Sequence, residues 1–226
     1  MIPPLMNTLP PVIFFDAAGT LIQVRDPVAQ VYERIAAQHG IKVDGEALMW
    51  AFRAAWKDCP PPVHEEPPED DDRSWWLALV TKTFAQAKGR PLPDEVLLPL
   101  FDELYRHYAK PEAWMVFDEV VPLLTHLHTK GHRLYVLSNF DKRLRSILQG
   151  HDLSRHFQGM IISSEVGASK PHARIFQAAL AMAKAAPQDC LHIGDDARAD
   201  VAGAQAIGIP VLQVRRPEQT LRDLIY

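Results

Sequence analysis

Cysteine is scarce in this sequence, which excludes metal sites built from several cysteines and redox sites built from a cysteine pair. The chain of 226 residues holds 2 cysteines, Cys59 and Cys190. They lie far apart and match no spacing typical of a metal or redox site. We therefore expect reduced thiols and a cytoplasmic location.

The chain also has no excess of basic charge and no long apolar run. The net charge is -4, whereas nucleic-acid-binding proteins usually carry a basic patch. No apolar run approaches the roughly 20 residues of a membrane-spanning helix. The first residues, MIPPLMNTLPP, have neither the charged nor the apolar region of a signal peptide. We expect no nucleic-acid partner and no membrane partner, and the sequence carries no signal for an oligomeric state.

Short strand-like segments alternate with helical patterns in the second half of the chain. This alternation indicates βαβ units and hence an α/β fold with a parallel sheet covered on both faces. The predicted strands are 12–15, 133–137, 159–162, 190–193 and 210–213, and the predicted helices between the later ones are 140–149, 171–185 and 198–207.

The region between the first two predicted strands of this sheet has a different character. Apolar residues repeat at helical spacing from Val28 and stop at Gly40, and further helical stripes begin near Trp76 and Leu97. No convincing strand occurs between residues 23 and 113. We expect a helical insertion, that is, a cap. Trp75 and Trp76 could line a pocket, but core packing is the commoner role.

One segment of this insertion, CPPPVHEEPPEDDDR at 59–73, is rich in proline and acid. It could be a metal-binding acidic loop or a solvated, extended connection between two helices. Its composition favours the solvated connection.

Polar residues follow four of the predicted strands. Ligands of open parallel sheets bind at the carboxyl ends of the strands, so these residues are expected to lie at one edge. They are Asp16 to Thr20 after the first strand, Ser138 and Asn139 after the second, Lys170 and Pro171 after the third, and Asp195, Asp196 and Asp200 after the fourth.

Their chemistry fits one reaction. Asp16 can attack phosphorus as a carboxylate nucleophile. Asp195 and Asp200 are oxygen ligands suited to Mg²⁺. Ser138 can hold a phosphoryl oxygen, and Lys170 supplies positive charge to the nucleophile and the transition state. Each residue alone could equally be a helix cap or part of an ordinary turn. The four sets together, in this order, indicate one site.

Four motifs resemble those of the haloacid dehalogenase-like (HAD) hydrolase superfamily. They are FFDAAGTL, VLSNF, SKPHARIF and HIGDDARADVAGAQAIG, within residues 12–214. The segments DRSWWLALVTKTF and SNFDKRLRSILQGHDLSRHF resemble the branch named for a rhythmically expressed gene. The resemblance implies a Rossmann-like core, here 1–22 and 114–226, and a subfamily I helical cap, here 23–113.

The resemblance also implies a Mg²⁺-dependent hydrolase that forms an aspartyl phosphate on a small phosphorylated substrate. Asp16 would be the nucleophile. Substrate phosphate would bind Ser138, Asn139 and Lys170. The metal ligands would be Asp16, the backbone carbonyl of Ala18, Asp195 and Asp200, with Asp196 as a further candidate.

One family residue is missing. Most phosphatases of the family carry a second Asp, an acid and base, at the position of Ala18. A Mg²⁺-dependent phosphatase with an easily released leaving group, or with an acid supplied by substrate or cap, is the first hypothesis. A 2-haloacid dehalogenase is the second, although such enzymes usually lack the acids found at 195 and 200. A phospho-ligand-binding protein without turnover is the third. A phosphonoacetaldehyde hydrolase would need a Schiff-base lysine in the cap, and none is identifiable among Lys57, Lys82, Lys88 and Lys110.

Overall fold

The computed structural model describes residues 9–224, without the side chains of residues 223 and 224. Residues 1–8, 225 and 226, which the domain prediction assigns to the core, lie outside the described residues. The strands are β1 (Val12–Phe15), β2 (Ile22–Val24), β3 (Trp114–Val116), β4 (Arg133–Ser138), β5 (Gly159–Ile162), β6 (Cys190–Gly194) and β7 (Val211–Gln213).

The helices alternate with these strands in the second half of the chain and are consecutive in the insertion. They are α1 (Val28–Gln38), α2 (Gly45–Asp58), α3 (Arg73–Lys88), α4 (Asp94–His107), α5 (Val120–Thr129), α6 (Arg143–Gly150), α7 (Ser163–Val166), α8 (Ala173–Ala183) and α9 (Gly203–Ala206). Short 3₁₀ turns cover Pro111–Ala113, Ser154–His156, Pro187–Asp189 and Leu221–Leu224, and a π-helical turn covers Ala197–Ala202.

Five strands form one parallel sheet in the order β5-β4-β1-β6-β7. The predicted α/β fold is confirmed, and each predicted strand agrees with an observed strand to within one residue at either end. β1 lies between β4 and β6, so the chain order reverses there and a crevice opens at its carboxyl end.

The sheet is buried on both faces, as its unbroken apolar runs predict. Ile13 and Phe15 belong to one buried cluster with Leu123 of α5. Val12 and Phe14 point the other way and belong to a second cluster with Phe176 of α8. β1 is therefore anchored on two sides, which fixes the residue that follows it.

A two-stranded antiparallel ribbon corrects the expectation that residues 23–113 hold no strand. Ile22 pairs with Val116 and Val24 with Trp114, so β2 extends into this region. Strands of three residues are too short to show alternation in the sequence. The ribbon joins the insertion to the rest of the chain, and the predicted boundaries at 22/23 and 113/114 fall at its two strands.

Helices α1–α4 enclose a hydrophobic cluster of their own. Tyr32 of α1 stacks on Phe84 of α3, with ring centroids 5.8 Å apart and ring planes inclined by 5°. Leu48 of α2 and Leu100 of α4 are fully buried in the same cluster. Packing of these apolar stripes, predicted from their spacing, stabilises the insertion.

The loop at 59–73 is partly exposed, as predicted, but it is bound to the core. Its backbone pairs with the segment before Lys170: the N–H of His64 donates to the carbonyl of Gly167 at 2.8 Å. Asp71 accepts from the hydroxyl of Ser164 at 2.6 Å and from the backbone N–H of Lys142 at 2.9 Å. The prediction of a merely solvated connection is therefore wrong in this respect.

The predicted helix 198–207 is interrupted at its start. The N–H groups of Asp200 and Val201 both donate to the carbonyl of Asp196, at 3.0 and 3.1 Å, which widens the first turn into a π-helix. Such turns are rare in proteins overall, and those that occur are often found at functional sites. This one aims Asp200 at the carboxyl end of the sheet.

Both cysteines, Cys59 and Cys190, are buried free thiols. Within residues 9–224, every helix is too short or too polar to cross a membrane.

Candidate active site

The polar residues predicted to follow the strands meet at one edge of the sheet. Asp16 directly follows β1, Ser138 ends β4, and Asp195 directly follows β6. Lys170 lies in the loop between α7 and α8, and Asp200 in the π-helical turn. All five line one cavity of about 620 Å³, which also borders helices of the insertion.

Asp16 is buried, 7% exposed, and both its backbone and its carboxylate make hydrogen bonds. Its N–H donates to the carbonyl of Ile193 at 2.8 Å, and its Oδ1 accepts from Nζ of Lys170 at 2.7 Å. Burial raises the pKa of Asp16 to about 6, while Lys170 opposes the shift and Asp200 adds to it. A further cation beside Asp16 would favour its ionised form, which is the nucleophilic one.

Lys170 links the two buried acids. Its Nζ donates to Asp16 Oδ1 at 2.7 Å, to Asp200 Oδ1 at 2.6 Å and to the carbonyl of Leu137 at 3.0 Å, so all three ammonium protons have acceptors. Burial alone would lower the pKa of Lys170, but Asp16 and Asp200 outweigh it and raise that pKa above its usual value. Lys170 is therefore a fixed positive charge.

Asp200 is buried and accepts hydrogen bonds from Lys170, His192 and the backbone of Asp196. Burial would raise its pKa, but Lys170 and His192 hold the pKa of Asp200 well below its usual range. His192 Nε2 lies 2.8 Å from Asp200 Oδ1, and the N–H of Asp196 donates to Oδ2 at 3.0 Å. Sequence reasoning missed His192. The signal was a lone polar residue within the apolar strand CLHIG, which requires a buried partner.

Asp195 is exposed, and the turn after β1 closes over it. Gly19 has φ +90°, and a Cβ built there would lie 2.5 Å from Asp195 Oδ2. Only glycine fits this conformation and this approach. Burial and the charge of Asp200 raise the pKa of Asp195.

The donor set suits a hard divalent cation. Carboxylate oxygens of Asp16, Asp195 and Asp200 lie within 4.8 Å of one another. Lys170 balances one of these three negative charges, and Mg²⁺ is commonly held by a few carboxylates, waters and substrate oxygens. Asp196 lies outside the cluster. Its carboxylate instead caps the π-helical turn, accepting from the N–H groups of Arg198 and Ala199 at 2.7 and 2.6 Å.

Ser138, Asn139 and Ala18 also border the cavity. Ser138 is 1% exposed. The amide of Asn139 bonds the backbone of Lys170 twice, donating to its carbonyl at 2.9 Å and accepting from its N–H at 2.6 Å. These bonds position Lys170. Ala18 is exposed, and its side chain offers the cavity a methyl group.

The cavity wall contains residues that the sequence did not identify. Arg143 lies with its guanidinium carbon 3.7 Å from the ring centroid of Tyr105 and 5.2 Å from that of Trp76. Burial raises the pKa of Tyr105 to about 12, so its hydroxyl stays neutral. Trp75 and Trp76 are half-buried and both pack against a small buried cluster, as core packing predicts. Trp76 also lines the cavity.

The family relationship is clear from sequence. A family model described as haloacid dehalogenase-like hydrolase matches residues 10–208. The chain is 35% identical over 206 residues to haloacid dehalogenase-like hydrolase domain-containing protein 3 of Bos taurus, covering 90% of this chain and 81% of that protein. It is 33% identical over 207 residues to the rhythmically expressed gene 2 protein of Drosophila melanogaster, covering 87% and 79%.

Solved structures share the fold at low identity. A magnesium-bound HAD-hydrolase, YfnB, from Bacillus subtilis has a TM-score of 0.69 at 16% identity and covers 96% of this chain and 97% of its own. A HAD phosphatase from Thermococcus onnurineus has a TM-score of 0.63 at 22% identity, covering 91% and 86%. An L-2-haloacid dehalogenase from Xanthobacter autotrophicus has a TM-score of 0.64 at 17% identity, covering 96% and 83%. The match to the family model and the 35% identity to the bovine protein show that the chain belongs to the haloacid dehalogenase-like hydrolase family, as its motifs predict.

Proposed function

We propose that this hydrolase is a Mg²⁺-dependent phosphatase that acts on a small phosphorylated compound through an aspartyl phosphate at Asp16. The supporting observation is the placement of Asp16 at the end of β1, bonded by Lys170 and within 4.8 Å of Asp195 and Asp200. One anchored nucleophile, one fixed positive charge and two further acids are what phosphoryl transfer requires.

The proposed reaction has two steps. Asp16 forms an oxygen–phosphorus bond as the bond to the leaving oxygen breaks, and that oxygen departs with the electron pair. Water then attacks the same phosphorus as the bond to Asp16 breaks, so that the carboxylate is restored and phosphate leaves with the protons of water shared between it and solvent. Ser138 binds a phosphoryl oxygen, and Lys170 binds another in exchange for one of its present acceptors. Asn139 positions Lys170 through its backbone. The substrate-binding role predicted for Asn139 remains part of the proposal.

Mg²⁺ would be held by Asp16, the backbone carbonyl of Ala18, Asp195 and Asp200. When bound, it would offset the repulsion between these carboxylates and the phosphoryl group. The methyl group of Ala18 leaves that carbonyl in place but supplies no proton. The proposed substrate is therefore one whose leaving group departs without protonation, or one that brings its own acid.

We further propose that residues 23–113 form a cap over residues 1–22 and 114–226. The cavity is shared between the two parts, with Phe52 and Trp76 from the insertion and Asp16 and Lys170 from the sheet edge. The two reduced cysteines fit the cytoplasmic location predicted from the sequence.

A 2-haloacid dehalogenase remains the second candidate. Ala18 favours it, because halide needs no proton and Asp16 could displace it directly. The acids Asp195 and Asp200 argue against it, because dehalogenation at Asp16 requires no metal. The described residues that line the 620 Å³ cavity include none of the four cap lysines, Lys57, Lys82, Lys88 and Lys110. A Schiff-base mechanism therefore has no support.

A substrate panel separates these functions. Purified protein is assayed for phosphate release from phosphate esters, and for halide release from 2-chloropropionate, with Mg²⁺ or with EDTA. We expect phosphatase activity that disappears in EDTA and returns with Mg²⁺. Halide release that is indifferent to EDTA would establish the dehalogenase instead. Mg²⁺-dependent phosphate binding without turnover of any ester would establish the phospho-ligand-binding protein.

A further inference from the structure

We propose that the cavity above Asp16 selects phosphate esters whose organic part is an aromatic or similarly flat apolar ring. This inference rests on the proposed phosphatase function and names its substrate class. It comes from the cavity wall, which the phosphate chemistry at the sheet edge does not determine.

The cavity has a polar floor and an apolar upper wall. The floor is made of Asp16, Lys170, Asp195 and Asp200, at the sheet edge. The upper wall is dominated by rings and aliphatic side chains from the insertion. Among them are Tyr32, Phe52, Trp56, Trp76, Val80 and Phe101. A ligand with phosphate on the floor would therefore place its organic part against apolar surface.

Two arginines line the cavity. Arg53 is exposed, with its guanidinium carbon 5.8 Å from the ring centroid of Trp50, and Arg143 does not offer a free charge. The guanidinium of Arg143 makes a two-pronged ion pair with Asp141, at 2.7 Å through Nε and 2.5 Å through Nη2. Its Nη1 donates to the carbonyl of Tyr105 at 3.2 Å. Asp141 is fully buried, so its charge cancels that of Arg143. Arg143 instead lies among the rings of Tyr105 and Trp76 and forms part of the flat wall.

Polar substrates fit this wall poorly. A sugar or polyol phosphate brings hydroxyl groups that lose their water on entering, and unpaired polar groups are costly. Apart from Gln23 and the exposed Arg53, the partners on this wall are the hydroxyls of Tyr32, Tyr105 and Tyr108. The Tyr108 hydroxyl is buried and has no hydrogen-bond partner among the described residues. It could accept or donate one bond to a polar atom on a ring, but not several.

Trp56 marks the side on which the ring would lie. It is 49% exposed although it is a large apolar side chain, and it borders the cavity. Its ring lies 5.9 Å from that of Phe52, inclined by 30°, and 6.2 Å from that of Trp76. A ligand ring added to this group would cover aromatic surface that is now open to water.

The size and the chemistry agree with such a ligand. A volume of about 620 Å³ is ample for a two-ring organic group with its phosphate. A phenol also leaves as a stabilised oxyanion, so it does not need the acid that an alanine at position 18 cannot provide. The wall and the floor thus favour the same substrates for independent reasons.

Binding of stable phosphonates tests the inference on the wild-type protein, because their carbon–phosphorus bond is not cleaved. Dissociation constants are measured by calorimetry with Mg²⁺ for naphthylmethylphosphonate, propylphosphonate and inorganic phosphate. We expect the aromatic phosphonate to bind at least about tenfold more tightly than the propyl compound, because more apolar surface leaves water. Trp56→Ala should reduce that ratio, and Trp56→Phe should restore most of it.

Trp50→Ala is the matched control. Trp50 lies on the same helix as Trp56, is 66% exposed and lies outside the cavity wall, so its loss should leave the ratio unchanged. Equal affinity for both phosphonates, or a ratio unaffected by Trp56→Ala, would overturn the inference if inorganic phosphate still binds. Failure of all three ligands to bind would instead overturn the proposed phosphatase function.

Discussion

Ala18 is the residue on which the proposed phosphatase function depends most. It borders the cavity two residues after Asp16, and its backbone lies in the tight turn in which Gly19 N–H donates to the carbonyl of Ile22 at 2.8 Å. An aspartate there could protonate a leaving oxygen and later activate water. Alanine does neither, so the identity of the leaving group should control the rate.

Restoring the carboxylate should broaden the substrate range. Ala18→Asp should raise kcat/KM for alkyl phosphates by about 10² or more, since a positioned acid and base contributes 10²–10⁴-fold. Aryl phosphates should gain less at the attack step, because their leaving groups depart unprotonated. The measurement is kcat/KM for matched alkyl and aryl phosphates in both proteins.

Ala18→Asn is the control for that substitution, because it adds a side chain of the same size that cannot transfer the proton. It should leave the difference between alkyl and aryl substrates as large as in the wild type. If Ala18→Asp also leaves it unchanged, position 18 is not where the missing proton chemistry belongs.

The residues that carry charge at the sheet edge were predictable, and their buried support was not. Asp16 and Asp195 directly follow apolar strands, and Lys170 lies in the loop beyond β5, so their position along the chain marks them. His192 lies inside a strand, where a lone polar residue indicates a buried partner but does not identify it. Asp200 Oδ1 lies 2.8 Å from His192 Nε2 because the π-helical turn redirects the side chain of Asp200. No periodic sequence pattern predicts such a turn.

The proline- and acid-rich loop at 59–73 matters at the scale of the elements. Composition indicates its exposure, but not the surface on which it lies, because turn-like sequence does not specify a distant partner. In the structure it holds the segment that leads into Lys170. The guanidinium of Arg174 donates to the carbonyls of His64, Glu65 and Gly167, which joins the loop to that segment.

Loosening this contact should destabilise the protein. Asp71 has φ +57°, which Asn also tolerates, so Asp71→Asn removes charge and one acceptor without new backbone strain. We expect the free energy of unfolding to fall by about 1–2 kcal/mol, because a half-buried donor loses its charged acceptor. Urea unfolding gives this value, and limited proteolysis within 59–73 should become faster.

Glu69→Gln is the corresponding control in the same loop. It makes the same charge change at an exposed residue and should alter unfolding and proteolysis little. Equal effects of the two substitutions would mean that the charge of the loop, and not its contact with Ser164 and Lys142, stabilises the protein.

At the scale of the whole molecule, the fold joins two surfaces that are far apart in sequence. The sheet edge supplies the acids and Lys170, and the insertion supplies the rings above them. The parallel sheet could be predicted because its strands are apolar throughout. The sequence could not predict which residues of the insertion face Asp16, because a helical stripe such as that of α3 both packs on neighbouring helices and borders the cavity.

The central claim is that Asp16 becomes phosphorylated, and trapping that intermediate tests it most directly. Protein mixed with Mg²⁺ and an aryl phosphate is quenched in acid, digested and examined by mass spectrometry. Loss of the base that activates water should slow hydrolysis of the aspartyl phosphate, so the intermediate should accumulate. We expect the mass of one phosphoryl group on the peptide that contains Asp16. Asp16→Asn, a nearly isosteric change, should keep the fold but lose both label and turnover, whereas Asp152→Asn at an exposed position should keep both. A phosphoryl group on another residue, or undiminished turnover in Asp16→Asn, would contradict the account.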